Sequence, residues 1–130
     1  MEILRLYINL TEINEVVSDS VTAKMLLFDG TCKSDIFNGT ILHGGVDTQM
    51  VYSAGTGTLS ARYIVEGQDN KGNSCRLFIE NNAKLGADQI VTEPKIVTDS
   101  KELKWLETTK LVGRIEHGEQ LTIVISMSNN

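Results

Sequence analysis

Apolar and polar residues alternate with a period of two along most of the chain, the pattern of strands that bury one face. Leu4, Leu6, Ile8 and Leu10 share one face, and Arg5, Tyr7, Asn9 and Thr11 share the other. Val21, Ala23, Met25 and Leu27 alternate against Thr22, Lys24 and Leu26, and Asp29-Gly30 then supplies a turn signal. Residues 34–43 are rich in Ile, Phe and Thr, carry Gly39 as the mark of a bulge or bend, and end at Gly44-Gly45. Residues 46–52 read as another short strand. The clearest alternation sets Leu59, Ala61, Tyr63 and Val65 against Ser60, Arg62 and Glu66. A loop, Asp69-Asn70-Lys71-Gly72-Asn73, joins it to Cys75, Leu77 and Ile79, which predicts adjacent antiparallel strands.

Residues 81–98 are the least regular and include the only proline, Pro94. They predict a loop across one barrel mouth, with a short helical turn ahead of the proline. Residues 103–116 and 121–127 predict a closing hairpin around His117-Gly118-Glu119. About eight strands result, with no helical pattern long enough for a parallel crossover. With glycines at the bends, the expectation is an all-β fold: a small antiparallel up-and-down β-barrel, one domain over residues 1–130.

Composition adds exclusions. Hydrophobic residues at 41% and charged residues at 22% describe an ordinary globular chain. A net charge of −5 with no basic cluster argues against nucleic acid and anionic lipid as partners. The first residues alternate instead of forming a basic and then apolar leader, and no apolar stretch approaches membrane-spanning length, so the expectation is a cytoplasmic protein without membrane association. Cys32 and Cys75 lie far apart and outside any C-x-x-C motif, and read as reduced packing residues.

Several short motifs stand out: Phe37-Asn38-Gly39, Gly44-Gly45-Val46-Asp47, Leu59-Ser60-Ala61-Arg62-Tyr63, Lys71-Gly72, Ile79-Glu80-Asn81 and Trp105-Leu106. On these the sequence resembles domain-of-unknown-function family 3237, small and mostly bacterial proteins, with good coverage over residues 37–82 and thinner coverage afterwards. The resemblance implies a compact, self-associating antiparallel barrel and attaches no general activity to it. Two positions depart from the family pattern: Thr48 stands where an aromatic residue is frequent, and Val91 where an arginine precedes the later proline.

Parity then sorts the candidates. With Leu59, Ala61, Tyr63 and Val65 inside, Arg62 faces outward as a salt-bridge or interface residue. Asn81 falls on the inner phase with Leu77 and Ile79, and Asp47 shares a phase with Gln49. The sharpest hypothesis is a small organic ligand held by Asp47, Gln49, Tyr63 and Asn81, with Trp105 as an apolar wall. The competing readings give Asp47 to a turn and Tyr63 and Trp105 to packing. An alternative activity is a cofactor-independent lyase or isomerase in which Asp47, Tyr63 or His43 moves protons, His43 and Asp47 forming an acid/base pair. No catalytic residue is assigned, and His117 reads as a solvated loop residue. A third reading is a homodimeric interaction module with a filled barrel. Two histidines and no cysteine cluster argue against zinc, and no phosphate loop or nucleophile elbow is present, so neither metal nor cofactor is expected.

Overall fold

The computed structural model describes residues 1–86 and 89–129. Among them are β1 (Glu2–Val17), β2 (Val21–Lys33), β3 (Phe37–Tyr52), β4 (Gly57–Asp69), β5 (Ser74–Leu85), β6 (Val91–Thr92) and β7 (Lys95–Thr98), then a 3-10 helix (Lys104–Glu107), β8 (Leu111–Glu116) and β9 (Leu121–Met127). The nine strands form one antiparallel sheet in the order β6-β8-β9-β1-β2-β3-β4-β5-β7. β6 and β7 stand at opposite ends of that order yet only Glu93 and Pro94 separate them in the chain. The sheet must therefore curl until its ends meet. The Glu93 N–H reaches the Asn82 carbonyl at 3.4 Å across the seam.

Alternation sets which residues fill the interior. Leu59, Ala61, Tyr63 and Val65 of β4 and Cys75, Leu77, Ile79 and Asn81 of β5 are buried, as are Leu4, Leu6 and Ile8 of β1. Arg62 faces out and pairs with Glu80 at 2.7 Å. On β2 the inner set is the even-numbered one, with Leu26 opposite Asp47 and Phe28 and Cys32 buried, whereas Met25 is exposed. A register shift between Leu10 and Glu12 changes the phase of β1 instead, so that Leu10 stands opposite Phe28 but Ile13 opposite Leu26.

Residues 34–43 and 46–52 do not form two strands; residues 37–52 form one, β3, with a bulge between Ile41 and Val46. Gly44 at φ 110° occupies that bulge in a conformation that side chains disfavour. Gly39 lies opposite Gly67 of β4, and a Cβ on Gly67 would stand 1.9 Å from the Asn38 carbonyl oxygen. The paired glycines let the two backbones approach closely there.

The loop expected over residues 81–98 instead supplies the end of β5 and all of β6 and β7, and no helical turn precedes Pro94 among the described residues. The one helical turn there comes later, at the barrel end near Asp69. Ser100 Oγ donates to Asp69 Oδ2 at 3.1 Å and accepts from the Leu103 N–H at 3.1 Å, and Leu103 and Leu106 are buried beneath it. This plug closes one end. Residues 103–110 consequently lie outside the final hairpin, which begins at Leu111.

Candidate functional site

At the other end the interior is open. A cavity of about 170 Å³ lies among Ile8 and Leu10 of β1, Leu26 and Phe28 of β2, Leu59 of β4, and Ile115 and Ile123 of the last hairpin. The polar residues Asp47, Gln49, Asn81 and Thr92 join this apolar wall, and Arg114 and His117, both exposed, border it. The volume is small beside the ~300–1,000 Å³ of sites for drug-sized molecules, but a cavity of about 150 Å³ can hold a benzene ring.

Strand register explains the convergence. Asp47 of β3 pairs with Ala61 of β4, which pairs with Asn81 of β5, so the three form one row on the concave face. Because Ala61 carries only a methyl group, the space above it stays empty between the acid and the amide. Gln49 is two residues along β3 on the same face, opposite Leu59, and its Nε2 donates to Asp47 Oδ2 at 2.8 Å. Asp47 Oδ1 is buried with no hydrogen-bond partner among the described residues. Burial disfavours the charged form and raises the Asp47 carboxyl above its ordinary value, and the Gln49 hydrogen bond offsets part of that rise.

Asn81 heads a second polar group. Its Nδ2 donates to the Tyr63 hydroxyl at 3.0 Å, and its Oδ1 accepts from Thr92 Oγ1 at 3.3 Å. Tyr63 is buried beneath the cavity floor, and its ring meets Phe28 edge-on with centroids 5.4 Å apart. Burial raises the Tyr63 hydroxyl above its usual range, which keeps it neutral and available for hydrogen bonding. Thr92 arrives through the two-residue strand β6, and Gly113 of β8 makes room for it: a Cβ there would stand 2.2 Å from Thr92 Oγ1.

The structure thus brings Asp47, Gln49 and Asn81 to one cavity, with Tyr63 supporting Asn81 from below. Trp105 is not a wall of this cavity. It belongs to the 3-10 helix at the plugged end, where Leu106 turns inward and the indole stays partly exposed. His43 and Asp47 do not pair: His43 is exposed in the β3 bulge, and the described hydrogen bond of Asp47 goes to Gln49. His117 is exposed, yet it borders the cavity mouth beyond the end of β8. Thr92 and Phe28 are the wall residues that strand alternation alone misses, Thr92 because two residues are too few to show a period, and Phe28 because β2 presents its other face. Among the described residues no cluster of three His, Cys, Asp or Glu side chains could hold a metal. Among the described residues no helix is long and apolar enough to cross a membrane.

The family described as protein of unknown function (DUF3237) matches residues 3–81. No curated protein matches the chain. Among solved structures, a protein of unknown function from Clostridium acetobutylicum is similar at TM-score 0.82 and 23% identity, covering 98% of each chain. A β-barrel-like protein from Acinetobacter baumannii is similar at TM-score 0.79 and 18% identity, covering 97% of this chain and 92% of that one. A structure described as an enzyme from Penicillium herquei is similar at TM-score 0.69 and 14% identity, again covering 97% and 92%.

Proposed function

Since the chain belongs to DUF3237, a family of unknown function, we propose its role from the cavity itself: the barrel binds a small, largely apolar organic molecule at its open end. One observation carries this reading. Asp47 lines an apolar cavity and keeps one buried carboxylate oxygen without a partner among the described residues. An unsatisfied buried acceptor costs about 1–3 kcal/mol, and a ligand donor would remove that cost.

Thermal-shift screening of a metabolite library tests the reading, with Ala61→Leu as the control that fills the space and leaves every polar group in place. Ligands that raise the melting temperature of the parent protein, and do so less for Ala61→Leu, are expected. Hits indifferent to Ala61→Leu would place binding elsewhere.

A second reading is a cofactor-independent lyase or isomerase with Asp47 as the proton carrier. The raised carboxyl in an apolar cavity favours it, since general acids and bases work best near the ambient pH. The fold neighbour from Penicillium herquei, described as an enzyme, lends it fold-level support alone. Asp47→Asn is then expected to bind any compound the parent protein consumes and to leave it unchanged.

Self-association through the unpaired edge of β1 belongs to the same proposal, as does a cytoplasmic location, which the free thiols of Cys32 and Cys75 favour. Cell fractionation tests the location.

A further inference from the structure

Asp47 and Asn81 flank the cavity from strands on either side of β4, and each has hydrogen-bonding capacity left over. They lie two strand spacings apart, roughly 10 Å at the backbone, and closer at their tips because this face of the sheet is concave. Asp47 offers an acceptor: Oδ2 is taken by Gln49, and Oδ1 has no partner among the described residues.

Asn81 offers a donor. An amide carries two N–H groups and one carbonyl oxygen. As placed, one N–H goes to Tyr63 and the oxygen accepts from Thr92. If the amide is turned over, the Tyr63 hydroxyl donates to its oxygen and one N–H goes to Thr92. Either way a single N–H remains, and Ala61 leaves the space beside it empty.

The rest of the lining sets the ligand's charge and body. Phe28, Leu26, Leu59 and Ile123 make the wall apolar, and the two basic residues that border the cavity, Arg114 and His117, are both exposed at its rim: Gly113 and Ile115 take the inner phase of β8, with Arg114 between them. An anion held inside the apolar wall would meet Asp47, while both basic side chains stay at the exposed rim.

We propose that the cavity takes an uncharged hydroxycarbonyl compound, its hydroxyl donating to Asp47 and its carbonyl oxygen accepting from Asn81. This rests on the binding reading above and makes it specific. After two hydrogen bonds of about 2.8 Å, the span between the side chains leaves roughly 3–4 Å between the ligand's two oxygens. Two or three carbons bridge that distance.

The test compares three probes of one size on the unmodified protein: 3-hydroxycyclohexanone, cyclohexanone, which lacks the donor, and cyclohexanol, which lacks the acceptor. Titrations followed by amide chemical shifts are expected to give the hydroxyketone an affinity about tenfold above either, with the largest shifts at Ala61 and its neighbours. Asp47→Ala should reduce the hydroxyketone to the affinity of cyclohexanone. Equal affinity for all three probes would overturn the clamp and leave the apolar cavity as a binding site. The clamp is overturned in the same way if none of the three binds while library ligands sensitive to Ala61→Leu do. Failure of every compound, library included, would remove the binding reading itself.

Discussion

A carboxyl group flanked on neighbouring strands by Leu26 and Ala61 is held away from water, and Gln49 satisfies only one of its oxygens. Its protonation is therefore tied to folding. The folded protein keeps the Asp47 proton to a higher pH than the unfolded chain does. From the ordinary aspartate value, about 3.9, up to the raised folded value, the native state binds more protons than the unfolded one. Stability is lost as pH rises through that window, and above it the loss is complete. Asparagine has the same shape and no charge to bury. Asp47→Asn is expected to be more stable than the parent by about 1 kcal/mol at neutral pH, with the gain fading as pH falls through that window and absent below about pH 4. Thermal melts across that range check it, and a variant less stable at neutral pH would contradict the argument. Cys32, by contrast, is pushed up to about 11 by burial, an inert thiol consistent with packing against the core.

At the scale of elements, the value of a strand depends on how closely its neighbour can approach. The Gly39–Gly67 pair lies where β3 and β4 nearly touch: a Cβ on Gly67 would meet the Asn38 oxygen at 1.9 Å and the Gly39 Cα at 2.5 Å. These are backbone atoms of a central strand and cannot swing aside. Gly67→Ala is expected to cost more than about 3 kcal/mol, read by urea denaturation, while Gly118→Ala, with nothing within 4 Å, serves as the neutral comparison. A small effect at Gly67 would mean that β3 and β4 separate easily.

Legibility in the sequence also varied by element. β4 could be read in full, and β5 as far as Glu80, because long strands with one buried face show an unbroken period; that period placed Asn81 on the inner phase and Arg62 outside, whereas for Asp47 and Gln49 on β3 the sequence showed only a shared phase. β2 carries apolar residues on both faces, so alternation alone could not choose between them. β6 is two residues long and owes its place to Gly113 and the seam, contacts far away in the chain. Trp105 had the composition of a cavity wall, but the plug at Asp69 and Ser100 carries it to the closed end.

Over the whole molecule the curl of the sheet closes one seam and leaves one edge open. β9 pairs with β1 only as far as Ile8 opposite Leu121, whereas β2 follows β1 up to Val17. Residues 9–17 therefore present unpaired backbone groups on one side, in a stretch with neither lysine nor proline to discourage a further strand. Leu10, Ile13, Val16 and Val17 are exposed there, the two valines at 70% each. A second copy of β1 running antiparallel, with the two-fold axis at Asn14, sets Glu12 against Val16 and Glu15 against Ile13, so that like charges do not face each other. This pairing would join two barrels through one continuous sheet. Size-exclusion chromatography with light scattering is expected to give twice the chain mass at micromolar concentration, and Ile13→Lys with Val16→Lys should return it to a single chain without lowering the melting temperature by more than the dimer contributes. A parent protein that elutes as one chain, or a dimer indifferent to both lysines, would show that the edge of β1 is protected in some other way.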